Sequence, residues 1–165
     1  MTNAPSFSAC SRPSIVLIPG TTSLSAPLEF RRAQDFFITS RIEMDCNRSL
    51  SYTTIWTVHQ CSSSCSRQTL IDPTVAQKFS EIYFPARTLF YGTYELKLTV
   101  TMSGLSKWIS SASAYVKIMP SPAMVNLVPF GTSMIPHGYE YDLKFDPGRY
   151  SVDPDESSFN ASVSE

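Results

Sequence analysis

The residues of this 165-residue chain that could do chemistry are few, and they fall in three groups. His59, Cys61 and Cys65 lie close together and could begin a zinc site, but a tetrahedral site needs a fourth ligand and none stands at a suitable spacing. A disulfide closing the Cys61–Cys65 loop is the stronger reading. The carboxylates Asp146, Asp153, Asp155 and Glu156 are oxygen donors of the kind calcium takes. They lack the glycine-punctuated spacing of a known calcium loop, so they read first as a solvated turn and stand only as weak calcium candidates. The third group is the two histidines. His137 is far from His59 in sequence, and His59 falls on the outward face of its strand, where a solvated imidazole needs no role. No nucleophile elbow, phosphate-binding loop, zinc spacing or dinucleotide fingerprint is present. The expectation is a protein that is not an enzyme and takes no cofactor.

Composition narrows the classes further. The chain is 42% hydrophobic and 16% charged, which supplies a core but leaves an unusually uncharged surface, filled by Ser and Thr. A net charge of -1 gives no electrostatic footprint for nucleic acid or an anionic membrane. Four cysteines, Cys10, Cys46, Cys61 and Cys65, accompany two N-glycosylation sequons, at Asn47 and Asn160, and together they favour an oxidising, secretory compartment. Residues 1–14 hold no apolar run to serve as a signal peptide, and nowhere is there a run of about 18 apolar residues to span a bilayer. An extracellular location therefore implies that this chain is a piece of something longer.

The elements that must position these residues read as strands. From Tyr94 to Met102 the alternation is unbroken, with Tyr94, Leu96, Leu98, Val100 and Met102 on one face and Glu95, Lys97, Thr99 and Thr101 on the other. That is a half-buried antiparallel strand. The turn Tyr91-Gly92-Thr93 before it reads as a tyrosine corner, in which the phenol of Tyr94 packs inward and its hydroxyl bonds to backbone upstream. Further strands are expected at 14–18, 35–46, 52–60, 68–71 and 112–119, with 75–84 as loop leading into strand and a turn at Gly104. Trp56 is the expected core plug, joined by Ile38, Met44, Val58, Tyr94, Leu96, Leu98, Val100, Ala114 and Val116. Seven strands without a long helix describe an all-β antiparallel sandwich with Greek-key connections, and the tyrosine corner makes it immunoglobulin-like. The Pro120-Ser121-Pro122 break sets the boundaries. Residues 1–13 are an irregular lead-in, 14–120 the sandwich, and 123–165 the opening strands of a second, truncated sandwich, at 124–130 and 139–145.

The assembled residues resemble a known family. Cys46 with Tyr52 and Trp56, then Cys61, then Phe84-Pro85-Ala86-Arg87-Thr88-Leu89 and Tyr91-Gly92-Thr93-Tyr94, are similar to the beginning of the REJ (receptor for egg jelly) module of the polycystin-1 family. After the prolines, the run from Asp146 to Asp155 resembles the family's next repeat. Pro147 and Arg149 replace two serines of its motif there, and Val152 replaces a tyrosine. The resemblance implies a sandwich related to PKD and fibronectin type III repeats in the ectodomain of a large multi-pass membrane protein with a channel-like block. It implies a place on the outer face of a plasma or ciliary membrane, with neighbouring ectodomain repeats as partners.

Two questions stay open at this stage. Four cysteines allow three pairings. A straight Tyr52–Gln60 strand holds its ends roughly 25–30 Å apart, which disfavours Cys46 with Cys61. The sandwich topology sets the start of the first strand beside the end of the second and so favours Cys10 with Cys46, leaving Cys61 to pair with Cys65 across the short loop. The family motif would equally suit Cys46 with Cys61. For function, the leading expectation is a non-catalytic structural and adhesive ectodomain module. The alternative is a free-standing soluble protein that binds a glycan or protein ligand.

Overall fold

The structure is a computed structural model, and it describes residues 11–20, 22–44, 51–69, 74–103, 108–128, 132, 138–139, 142 and 147–156. The chain divides into two units, Met1–Met119 and Pro120–Glu165.

The described residues of the first unit form nine strands: β1 (Ser14–Ile18), β2 (Leu28–Arg31), β3 (Phe36–Glu43), β4 (Tyr52–Cys61), β5 (Arg67–Gln68), β6 (Ala76–Lys78), β7 (Glu81–Phe84), β8 (Gly92–Met102) and β9 (Ile109–Met119). They lie in two sheets, ordered β1-β3-β7-β6 and β2-β9-β8-β4-β5. With strands lettered A, A′, B, C, C′, D, E, F and G in chain order, these sheets are ABED and A′GFCC′, the immunoglobulin arrangement with its first strand divided between the sheets. The division falls after β1, at the cis peptide bond Ile18–Pro19.

Alternation dictates which side chains are inside. Along β8 every second residue from Tyr94 to Met102 is buried, and β4 places Trp56 and Val58 opposite Leu98 and Leu96. The four-stranded sheet answers with Leu17, Phe36, Ile38, Ile82 and Phe84. Phe30, Phe36 and Phe84 stack in series, with centroids 4.3 and 4.9 Å apart, and tie β2 of one sheet to β3 and β7 of the other. Each such buried side chain contributes about 1.5–3 kcal/mol through removal from water. Trp56 is 3% exposed, yet its indole Nε1 is buried without a hydrogen-bond partner, so its contribution is one of packing alone.

Several expectations need correction. The described residues of the first unit form nine strands rather than seven, because β2 and β6 are too short for alternation to show. The sheets are not wholly antiparallel: β2 runs parallel to β9, from Leu28 opposite Val116 to Arg31 opposite Met119. The strand expected over 35–46 ends at Glu43, and Met44 lies past that end, half-buried and outside the core. Region 75–84 is a hairpin of β6 and β7 that buries Val75, Ile82 and Phe84. The turn at Gly104 lies outside the described residues.

In the second unit the described residues form no strand of the expected kind. Met124 makes a single antiparallel bridge with Val152, donating and accepting at 2.9 Å. The Asn126 side-chain amide donates to Tyr150 O at 3.0 Å. Residues 125–128 are irregular and 147–150 make one helical turn, so the strand expected over 124–130 reduces to that bridge where it is described. Of 139–145 only Tyr139 and Asp142 are described, and neither lies in a strand.

Candidate functional site

The segment Phe84–Tyr94 carries the family resemblance, and its geometry shows what each residue does. Phe84 and Leu89 are buried. Pro85 O accepts from both Thr88 N–H (3.3 Å) and the Thr88 hydroxyl (2.7 Å), which closes the turn. Arg87 stands at φ 66°, a region that L-residues other than Gly, Asn and Asp rarely take. Its N–H donates to Arg32 O at 2.7 Å, joining the β7–β8 loop to the β2–β3 loop. The Arg32 guanidinium in turn stacks over Phe90 and Tyr91, 5.3 Å from each ring centroid. Gly92 has φ 141°, and a Cβ there would lie 3.5 Å from the Gln60 side chain.

The corner itself is present. Tyr94 is 3% exposed and its hydroxyl donates to Phe90 O at 3.1 Å. Burial raises its pKa, partly offset by that backbone contact. The segment is thus a scaffold corner, held by its own backbone at Thr88 and Tyr94 and by the β2–β3 loop at Arg87.

The outer face of the five-stranded sheet holds the nearest thing to a reactive cluster. Register puts His59, Glu95 and Tyr115 side by side on β4, β8 and β9. The Ser113 hydroxyl donates to Glu95 Oε1 at 2.7 Å, and His59 Nδ1 lies 3.8 Å from Glu95 Oε2. Burial raises the Tyr115 pKa, and the neighbouring Glu95 carboxylate raises it further through its charge and a hydrogen bond. The set contains a serine, a histidine and a carboxylate, but in the wrong order for nucleophilic catalysis. A base must stand between nucleophile and carboxylate, whereas here the carboxylate stands between the other two. His59 is also not the solvated imidazole expected: its side chain is 22% exposed and Nδ1 is fully covered, because Glu95 and its own sheet neighbours enclose it.

Cys61 and Cys65 are joined in a disulfide with Cα atoms 4.0 Å apart. The bond answers one open question, since Cys61 cannot also pair with Cys46. Cys10 and Cys46 lie outside the described residues, as do Asn47, Asn160, His137 and Asp146. The carboxylates that are described serve the local fold. Asp155 is 2% exposed and its Oδ2 accepts from Ser121 N–H at 2.7 Å, while Asp153 Oδ1 accepts from Asp155 N–H at 2.9 Å. Glu156 is exposed, and its N–H closes the turn on Asp153 O at 3.2 Å. Among the described residues, no group of three or more His, Cys, Asp or Glu gathers where it could hold a metal ion. The buried role of Asp155 was not legible in sequence, because its partner is a backbone N–H more than thirty positions away.

Residues 40–163 match the family model of the REJ domain, a span that begins within β3 and runs through both units. No curated protein and no solved structure matches the chain.

Proposed function

Because this chain belongs to the REJ domain family, we propose that it is a non-catalytic extracellular module that spaces and presents surfaces in a polycystin-like, multi-pass membrane receptor. The family match is the observation that carries the reading. The corner geometry supports it, since the most family-specific residues, from Phe84 to Tyr94, are engaged in scaffold contacts.

The path of the chain through the first unit also suits a spacer. Ser14 opens β1 opposite Glu43, at the far end of β3 from Phe36. Met119 closes β9 opposite Arg31, at the end where Phe30, Phe36 and Phe84 stack. The chain therefore comes in at one end of the sandwich and leaves at the other, roughly 25–35 Å away at the rise of a β-strand. No helix among the described residues is long and apolar enough to cross a membrane.

Expression of the complete protein in a secretory cell line tests the proposal. Surface biotinylation should label it, and a glycosidase that removes N-glycans should shift its mobility. Asn47→Gln with Asn160→Gln should abolish the part of that shift that arises in this module. A protein that stays in the cytosol, with unglycosylated asparagines and reduced Cys61 and Cys65, would overturn the proposal.

A further inference from the structure

The shortest strand among the described residues of the first unit is also the one that follows a disulfide. β5 contains only Arg67 and Gln68, and it lies at one edge of the five-stranded sheet. It pairs with β4 at two positions, Gln60 opposite Arg67 and His59 opposite Gln68, with one further bond from Thr69 N–H to Val58 O at 2.9 Å. A two-residue strand is too short to hold itself against a sheet edge in water. What holds it there is the turn just before it, where Cys61 of β4 is bonded to Cys65 and only Ser66 separates Cys65 from β5.

The two sulfurs differ in surroundings. Cys61 is 8% exposed, whereas Cys65 is half-buried between exposed serines at 64 and 66. The bond encloses only three residues, so it removes little loop entropy from the unfolded chain. Nor does the β4–β8 ladder depend on it, since that pairing runs unbroken from Tyr52 opposite Met102 to Cys61 opposite Thr93.

We propose that the Cys61–Cys65 disulfide is a redox-released clip, which keeps β5 on the edge of β4 until a dithiol reductant opens it and uncovers that edge without unfolding the sandwich. The reductant's thiolate attacks the more accessible Cys65 sulfur, the S–S bond breaks, and Cys61 leaves as a thiolate that takes a proton from solvent. The reductant's second thiol then attacks its own sulfur in the mixed disulfide. The reductant departs as a disulfide, having given up two electrons, and Cys61 and Cys65 remain as thiols. With the tether gone, β5 rests on its two register pairs with β4 and the Thr69–Val58 bond among the described contacts.

The test uses the full 165-residue chain in a graded series of dithiothreitol at neutral pH. Differential alkylation with peptide mass spectrometry reads each cysteine, and amide hydrogen exchange runs in parallel. Cys61 and Cys65 should become alkylated at a reductant concentration at least about tenfold below that at which the sandwich unfolds. In the same samples the Thr69 amide should exchange about tenfold faster or more, while the amides of Tyr94 to Met102 keep their protection. The double variant Cys61→Ser, Cys65→Ser should show the same fast Thr69 exchange without reductant. The proposal is overturned if the bond survives until the β8 amides exchange, or if it opens with Thr69 still protected. A double variant that fails to fold overturns it as well, because the bond would then belong to the stability of the sandwich itself.

Discussion

Both sheets of the first unit hold fully buried residues, but on strands of different length. β4, β8 and β9 are ten or eleven residues long and pair in unbroken registers. In the other sheet β1, β6 and β7 have five, three and four residues, and only β3 is longer. Even so, Ile38 and Ile82 of the short-stranded sheet are as fully buried as Leu96 and Leu98 of the long-stranded one. Side-chain packing across the sandwich, rather than ladder length, sets how fully these residues are buried. Ladder length governs a separate property, which is how much backbone is committed to one cooperative block.

The largest effect should come from the residue that belongs most to the long-stranded sheet. Trp56→Ala should cost about 3–5 kcal/mol in a denaturant titration; a loss well under one would remove the indole from its place as the central plug. The comparison is sharpened by Leu98→Ala and Ile82→Ala, which should each cost about 2–5 kcal/mol. If Ile82→Ala costs far less than Leu98→Ala, the short-stranded sheet is a loose cover and the equivalence drawn above fails.

Smaller effects are expected at the corner between the sheets. Tyr94→Phe removes the hydrogen bond to Phe90 O and should cost about 0.5–1.5 kcal/mol. The same variant has a pH signature. The folded-state pKa of Tyr94 is raised above the unfolded value of 10.0, so the native state holds that proton more tightly. Its contribution is fully present below pH 10 and is lost as pH rises through the folded value. Melting temperature should therefore fall less steeply above pH 10 in Tyr94→Phe than in the wild type, and identical slopes would contradict the assignment. The smallest effect belongs to Lys117→Ala. That residue pairs with Glu29 at 3.4 Å with both side chains about half exposed, a kind of pair worth roughly 0–1 kcal/mol, so the melting temperature should barely move.

The difference between the sheets also accounts for what could be read from sequence. β8 and β9 were legible because alternation persists over enough residues to exclude a helix, and Trp56 and Val58 were placed correctly for the same reason. β2 and β6 were not legible: three or four residues cannot display a period of two, and β2 has its identity only through its parallel partner β9. Met44 kept the alternation in sequence but lay past the last hydrogen-bonded pair of β3, where pattern no longer implies burial. The tyrosine corner was legible because its bond spans four residues. The His59–Glu95–Ser113 cluster was not, since it depends on the registers of three strands at once.

The parallel pairing of β2 with β9 has a mechanical consequence. When the first unit is pulled by its two chain ends, load reaches β2 at its Leu28 end and β9 at its Met119 end. Parallel strands pulled this way slide past one another, so the hydrogen bonds from Leu28–Val116 to Arg31–Met119 are strained together rather than opened one by one. β1, which Ser14 and Ile18 pair antiparallel to β3, meets the same load first and lies in the other sheet. β1 can yield first, at the cost of exposing Leu17, while the β2–β9 pair still holds the other sheet. A module joined in series at opposite ends would thus lengthen by one strand under tension and then stop.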